Sequence, residues 1–253
     1  MHKTISFHLQ KGGVGKTTIA GAVACESAMS GVSTLLVDLD PQGNTSSWFY
    51  TGSAMYEVAD VLRGTCYVWD AVKRVDTIEN LYILPSFGIG GELKEYGEQS
   101  IQHEPYIIHE MVMQLSQRFD RIILDLSPGL GNLERSALIA SDEVITPMTP
   151  EIFSLDGLEI FIYELEKLRR NFTTKALHKR VIINGFDGRI TQHKDMWRVA
   201  ESGPYTMYRL PVDPVFRKSQ EHHLPPQMYS ERGKGLKTTT KHAIHEIAGE
   251  IWS

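Results

Sequence analysis

Nine consecutive residues, Gln10-Lys11-Gly12-Gly13-Val14-Gly15-Lys16-Thr17-Thr18, place three glycines, two lysines and two hydroxyls in one loop-sized stretch. Glycines carry no Cβ, so successive backbone N–H groups can turn inward around an anion without clashes. The Ala-rich segment that follows reads as a helix, and its N-terminus adds unpaired donors and a positive dipole end. Lys16 is then a cation for the β and γ phosphates of a nucleotide, and the Thr17 hydroxyl a ligand for Mg2+. Gly12, Gly13, Val14, Gly15 and Thr18 complete the cradle. The usual phosphate loop has a glycine six residues before its lysine. Here that place is Gln10, and a second cation, Lys11, opens the loop. A dinucleotide-binding loop could use Gly13-x-Gly15, but Thr18 stands where its third glycine belongs, and it has no use for Lys16.

Three carboxylates and an amide end other apolar runs. Asp38 and Asp40 lie two apart, so alternation along a strand points them similarly. Asp125 follows Arg121-Ile122-Ile123-Leu124, and Asn184 follows Val181-Ile182-Ile183. Strands are expected at 4–8, 34–38, 81–85, 121–125, 143–148, 180–184 and 205–210, several of them continuous Ile/Val/Leu, as when helices cover both faces. Helical spacing is expected at 16–29, 102–117, 132–140, 153–170, 190–201, 213–222 and 238–252. Alternation of the two predicts an α/β fold: one domain over 1–253, with a mostly parallel sheet flanked by helices on both faces, of the P-loop NTPase kind. In such sheets ligands collect at the carboxyl ends of the strands, where the loop, Asp38, Asp40, Asp125 and Asn184 all fall. The stretch 43–97 is the least regular.

The net charge of −5 hides an asymmetry: residues 1–160 hold 10 basic and 21 acidic side chains, and residues 161–253 hold 16 and 10. Such a split hints at a polyanion-binding face. Two cysteines, Cys25 and Cys66, are too few for a disulfide framework and read as buried thiols. No apolar run approaches the roughly 18 residues of a membrane span. No signal sequence is evident at the N-terminus, so a cytoplasmic location is expected.

The segment Lys11-Gly-Gly-Val-Gly-Lys16-Thr-Thr18 resembles the deviant Walker A ATPases of the ParA/MinD type. The resemblance continues through Val37-Asp38-Leu39-Asp40-Pro41-Gln42-Gly43-Asn44, Ile123-Leu124-Asp125 and Ala140 to Pro147 with Pro150-Glu151, and is closest to the ParA/Soj branch. It implies an ATP-sandwich homodimer in which Lys11 reaches the other subunit's nucleotide, acting like an arginine finger. It also implies that Asp40 orients or activates the attacking water and that Asp38 lies near the Mg2+ shell. Asp125 matches the Walker B position and would hold the metal through water. Ser127-Pro128-Gly129 replaces the Pro-Pro pair common in the family. Asn184 and the segment Leu210-Pro211-Val212-Asp213 match the adenine-binding positions, with Pro211 and Asp213 as contacts. No Asn-Lys-x-Asp guanine motif is present.

By the same resemblance, basic residues of the C-terminal region bind non-specific double-stranded DNA in the ATP state. The candidates are Arg217, Lys218, Arg232, Lys234, Lys237 and Lys241. Contacts to phosphates would make such binding salt-dependent and indifferent to sequence. The expected function is plasmid or chromosome partition with a ParB-like centromere-binding partner, on the nucleoid. No helix-turn-helix extension is expected ahead of the loop, so operator binding is not expected. Two alternatives stay open: the same ATPase positioning a protein cargo, or a MinD-like membrane-associated division regulator. The C-terminal stretch Ala243-Ile244-x-x-Ile247-Ala248-x-x-Ile251-Trp252 bears on the second. A lipid-binding helix wants Lys/Arg on its polar face, and this one offers His245, Glu246 and Glu250, so core packing and no membrane contact are expected. An iron-sulfur reductase with a similar loop would need cluster cysteines after the central strands, where neither Cys25 nor Cys66 lies.

Overall fold

Runs of Ile, Val and Leu with no polar face can only be satisfied between two helical layers, and this decides the centre of the molecule. The computed structural model describes residues 2–99, 101–151 and 153–252. Its strands are β1 (Lys3–Phe7), β2 (Thr34–Leu39), β3 (Lys73–Arg74), β4 (Leu81–Leu84), β5 (Arg121–Leu126), β6 (Glu143–Met148), β7 (Leu177–Asn184) and β8 (Thr206–Leu210). They form one sheet in the order β3-β4-β2-β5-β1-β6-β7-β8. All the pairings are parallel except β3 with β4.

The helices are α1 (Lys16–Met29), α2 (Asn44–Phe49), α3 (Val58–Leu62), α4 (Val68–Ala71), α5 (Leu93–Gln99), α6 (Ile107–Leu115), α7 (Asn132–Ala140), α8 (Phe153–Asn171), α9 (Thr191–Glu201), α10 (Val215–Glu221) and α11 (Thr238–Ile251). Side chains alternate along each strand between the two layers. Leu35, Val37, Leu39, Ile122 and Leu124 enter the core shared with α3, α6, α7 and α8. Ile5, Phe7, Leu36 and Ile123 enter the core shared with α1, α10 and α11. Ile244, Ile247 and Ile251 of α11 are buried there, so its apolar face is core. No helix among the described residues is long and apolar enough to cross a membrane.

Two differences from the expected elements have local causes. The helix expected from 102 begins only at Ile107; Pro105 cannot sit inside a helix and a short 3-10 turn precedes it. The irregular stretch 43–97 holds α2 to α5, each four to seven residues long, so none repeats long enough to show a period.

Candidate functional site

The carboxyl edge of the sheet gathers the polar residues. β1 runs into the glycine loop, whose Gly13 and Gly15 have φ of +74° and +96°, a left-handed backbone that glycine adopts without strain. No side chain caps α1 at its N-terminus, Gly15, so its first backbone donors are available to an anion. Lys16 is 93 % buried and its Nζ donates to the loop carbonyls of Lys11 (3.0 Å) and Leu9 (3.4 Å). Burial lowers its pKa, opposed by the charges of Asp125, Asp40 and Glu134. A phosphate group would meet this ammonium and the α1 donors together.

Asp125, fully buried on β5, pairs across the ladder with Phe7 of β1 and Asp38 of β2. Its Oδ2 accepts from the hydroxyls of Thr17 (2.7 Å) and Thr45 (2.5 Å). Its Oδ1 is buried with no hydrogen-bond partner among the described residues. Burial raises its pKa to about 6 against those two hydrogen bonds. An orphaned carboxylate oxygen beside a threonine hydroxyl is a hard-oxygen donor set, and it fits a divalent cation such as Mg2+.

Asp38 is engaged otherwise. Its Oδ1 accepts from the Asp40 N–H (3.1 Å), and its Oδ2 from the N–H and hydroxyl of Ser46 (2.8 and 2.7 Å). Burial and the neighbouring Asp125 push its pKa up to about 8, against those bonds. Asp38 thus holds the turn into α2, directly beside Asp125 on the sheet, whose Oδ1 is the acceptor without a hydrogen bond among the described residues. Asp40 lies one residue past β2, largely buried, with Oδ1 accepting from the Gln42 N–H (2.9 Å).

Lys11 is half-buried at the mouth of the loop. Its Nζ bonds Glu151 (2.9 Å) and the Ser154 hydroxyl (3.3 Å), and that contact lowers the Glu151 pKa. Asn184 at the end of β7 donates its side-chain N–H to the Val14 carbonyl (3.0 Å). A Cβ on Gly15 would lie 2.2 Å from that amide nitrogen. Asn184 therefore braces the phosphate loop. Pro211 is half-buried in the loop after β8. Asp213 is buried, with Oδ1 accepting from Val215 N–H (3.1 Å) and Oδ2 from Lys237 N–H (2.9 Å) and the Thr240 hydroxyl (2.8 Å). It ties the starts of α10 and α11 together.

Of the basic candidates, Lys218, Arg232, Lys234 and Lys237 surround one open groove of about 560 Å³. Arg232 (φ +51°) and Gly233 (φ +76°) form the tip of a tight turn whose ends, Glu231 and Lys234, pair antiparallel. Lys218 pairs with Glu231. Lys241 lies apart, in a groove with Glu26, His242 and His245, and Arg217 pairs with Glu221 along α10 (2.9 Å).

Several residues of the site carry no local sequence signal. Ser46 donates to Asp38 and accepts from the Ser86 N–H (2.8 Å). Glu57, buried, accepts from the N–H groups of Phe87 (2.7 Å) and Glu92 (2.6 Å), fixing the loop after β4 against the 42–44 turn. There a Cβ on Gly43 would meet Gly88 at 2.8 Å. His8, fully buried at the end of β1, packs on Phe161 with ring centroids 5.1 Å apart.

A family of AAA domains matches residues 2–179. The chain is 28% identical to the chromosome-partitioning ATPase Soj of Treponema pallidum, with 98% of each chain covered. It is 33% identical to the sporulation initiation inhibitor protein Soj of Bacillus subtilis over 75% of each chain. A Borrelia burgdorferi protein assigned to plasmid partition, solved with AMPPNP bound, superposes with a TM-score of 0.81 at 24% identity, over 100% of this chain and 98% of that one. That likeness is one of fold.

Proposed function

Since this chain belongs to the ParA/Soj-type partition ATPases, a family of P-loop ATPases, we propose that it hydrolyses ATP with Mg2+ to move DNA. The observation that carries the reading is the convergence on one edge of the uncapped α1 N-terminus, Lys16 and the orphaned Asp125 Oδ1. The phosphates lie on Gly12, Gly13, Val14, Gly15 and Thr18, with Lys16 leaving its loop carbonyls for the β and γ oxygens. Thr17 and Asp125 would hold the cation, with Asp38 near its shell, and it would supply charge neutralisation of those oxygens when bound. Asp40 orients water for attack. Asn184, Pro211 and Asp213 flank the base.

Lys11 serves a second protomer. Its pair with Glu151 is at the surface, where an ion pair holds little energy and is readily exchanged. Release of Glu151 frees the ammonium to meet the partner's nucleotide in an ATP-bound homodimer. The groove of Lys218, Arg232, Lys234 and Lys237 then meets phosphates of non-specific double-stranded DNA, and a ParB-like protein stimulates hydrolysis and release. The protein works in the cytoplasm, on the nucleoid. Burial of the apolar face of α11 in the core speaks against a membrane-bound, MinD-like role.

The test is equilibrium binding of AMPPNP and of random-sequence duplex DNA. Lys16→Ala is expected to lose nucleotide binding, and Asp40→Ala to keep it while losing turnover. Wild-type affinity in Lys16→Ala would overturn the phosphate-loop reading. DNA binding absent with ADP and AMPPNP alike would overturn the DNA carrier and leave the ATPase.

A further inference from the structure

The short helix α2 is tied at both ends, and to different parts of the molecule. At its start, the Thr45 hydroxyl is bonded to Asp125 (2.5 Å) and Ser46 to Asp38 (2.7 Å). At its end, the indole N–H of Trp48 donates to the Leu224 carbonyl (2.7 Å) and Nδ1–H of His223 to the Ser47 carbonyl (2.5 Å). His223 and Leu224 follow the last residue of α10 after His222, their N–H groups bonded back to the carbonyls of Gln220 (3.1 Å) and Ser219 (2.9 Å). Lys218, one turn earlier on α10, lines the basic groove.

The lever between these ends is stiff. Trp48 is 1 % exposed and stacks with Phe49 at 4.5 Å. Both rings press on Gly21 of α1, where a Cβ would lie 2.6 Å from Trp48. Close packing of this kind transmits displacement instead of absorbing it. His223 has a φ of +52°, a left-handed backbone that a non-glycine residue holds only where its surroundings impose it. Its bond to Ser47 is such a restraint.

Resting on the nucleotide and DNA readings above, we infer that Trp48 and His223 couple the nucleotide site to the basic groove. The carboxylates that hold the first turn of α2 are those beside the phosphates, so their contacts differ between nucleotide states. Each change shifts α2, and the two bonds at its far end carry the shift to α10 and the groove. A ligand moves an equilibrium only through contacts that differ between its states. Trp48 and His223 lie on the path between the two sites and belong neither to the phosphate loop nor to the lining of the basic groove.

The experiment compares wild type, Trp48→Phe and His223→Gly. The phenylalanine keeps a buried ring without the N–H, and the glycine suits the left-handed backbone and sits at the surface. Two quantities are read with AMPPNP and with ADP: affinity for a random-sequence duplex, and amide hydrogen exchange over residues 215–236. In wild type the two affinities are expected to differ by about 5- to 150-fold, the usual range of coupling between sites, and exchange to differ as well. In both variants the ratio should approach one, with AMPPNP affinity unchanged within about twofold. Wild-type ratios in both variants would overturn the coupling, as would exchange over 215–236 that ignores the nucleotide in wild type. Should wild type bind no DNA while exchange still responds through Trp48 and His223, the coupling stands and the DNA reading falls.

Discussion

Replacing Ser46 by alanine isolates the polar joint beneath the candidate site. The hydroxyl donates to Asp38 at 2.7 Å and accepts from the Ser86 N–H at 2.8 Å, and both partners are buried. Its removal leaves the Ser86 N–H without its acceptor, at a cost of about 1–3 kcal/mol for a buried unpaired group. Asp38, its pKa already near 8, is mostly neutral at pH 7, so the bond lost there is worth the neutral figure of about 0.5–1.5 kcal/mol. Together these give about 3 kcal/mol. For a chain of this size each kcal/mol moves the melting temperature by about 2–4 °C, so a fall of about 6–12 °C is expected. Ser47→Ala is the control: that hydroxyl is exposed and bonds only the Asn44 carbonyl within α2 (3.2 Å), so its loss should stay within about 0.5 kcal/mol. Urea unfolding of the three proteins at pH 7, with thermal melts beside it, measures both. A Ser46→Ala protein that melts within a degree of Ser47→Ala would refute the claim that this hydroxyl joins β2 to the loop after β4.

Gly15→Ala combines a left-handed φ with a clash against Asn184, and AMPPNP affinity should fall at least about tenfold, given about 1–2 kcal/mol for the backbone alone. Gly31→Ala shares the positive φ but meets no neighbour, so nucleotide titration should show it binding normally. Burial, and the charge of Lys16, hold the His8 pKa down to about 3; below pH 6.5 the unfolded chain takes up a proton that the folded one refuses, and acid is destabilising through this group. The opposite sign holds for Asp38 and Asp125, whose pKa values are raised, so the informative quantity is a difference. The stability of His8→Met relative to wild type should rise by about 2 kcal/mol between pH 7 and 5, since one pKa unit is about 1.4 kcal/mol; a pH-independent difference sinks this account. If the four basic side chains of the groove each meet a phosphate, DNA affinity should drop roughly 100-fold per protomer between 50 and 200 mM salt. A flat salt response would move the DNA surface elsewhere.

The parts legible in the sequence were those whose meaning is local. The phosphate loop declares itself through glycines and lysines in a row, and β2 and β5 through unbroken apolar runs ending in Asp38 and Asp125. The C-terminal helix showed its buried face in the spacing of Ile244, Ile247 and Ile251. What stayed hidden depends on partners far along the chain. Glu57 bonds backbone groups of residues 87 and 92, and no pattern near position 57 announces that. Asp213 and Asp38 were visible as polar residues after strands. Their hydrogen bonds to the Thr240 and Ser46 hydroxyls are tertiary and have no local pattern. The basic candidates were dispersed for the same reason: charge is readable one residue at a time, whereas the turn at Arg232 that gathers four of the six around one groove is tertiary.

The strand order has a consequence for biosynthesis. β1, which launches the phosphate loop, is made first, yet its neighbours in the sheet are β5 and β6: Phe7 pairs with Asp125 and Ile5 with Glu143. At about 5–20 residues per second, a ribosome needs roughly 6–24 s to travel from one member of the Phe7–Asp125 pair to the other. Throughout that interval β1 and the helix it feeds have no sheet to join. The segment encoded earliest thus waits for its neighbouring strands until half of the protein has been synthesised.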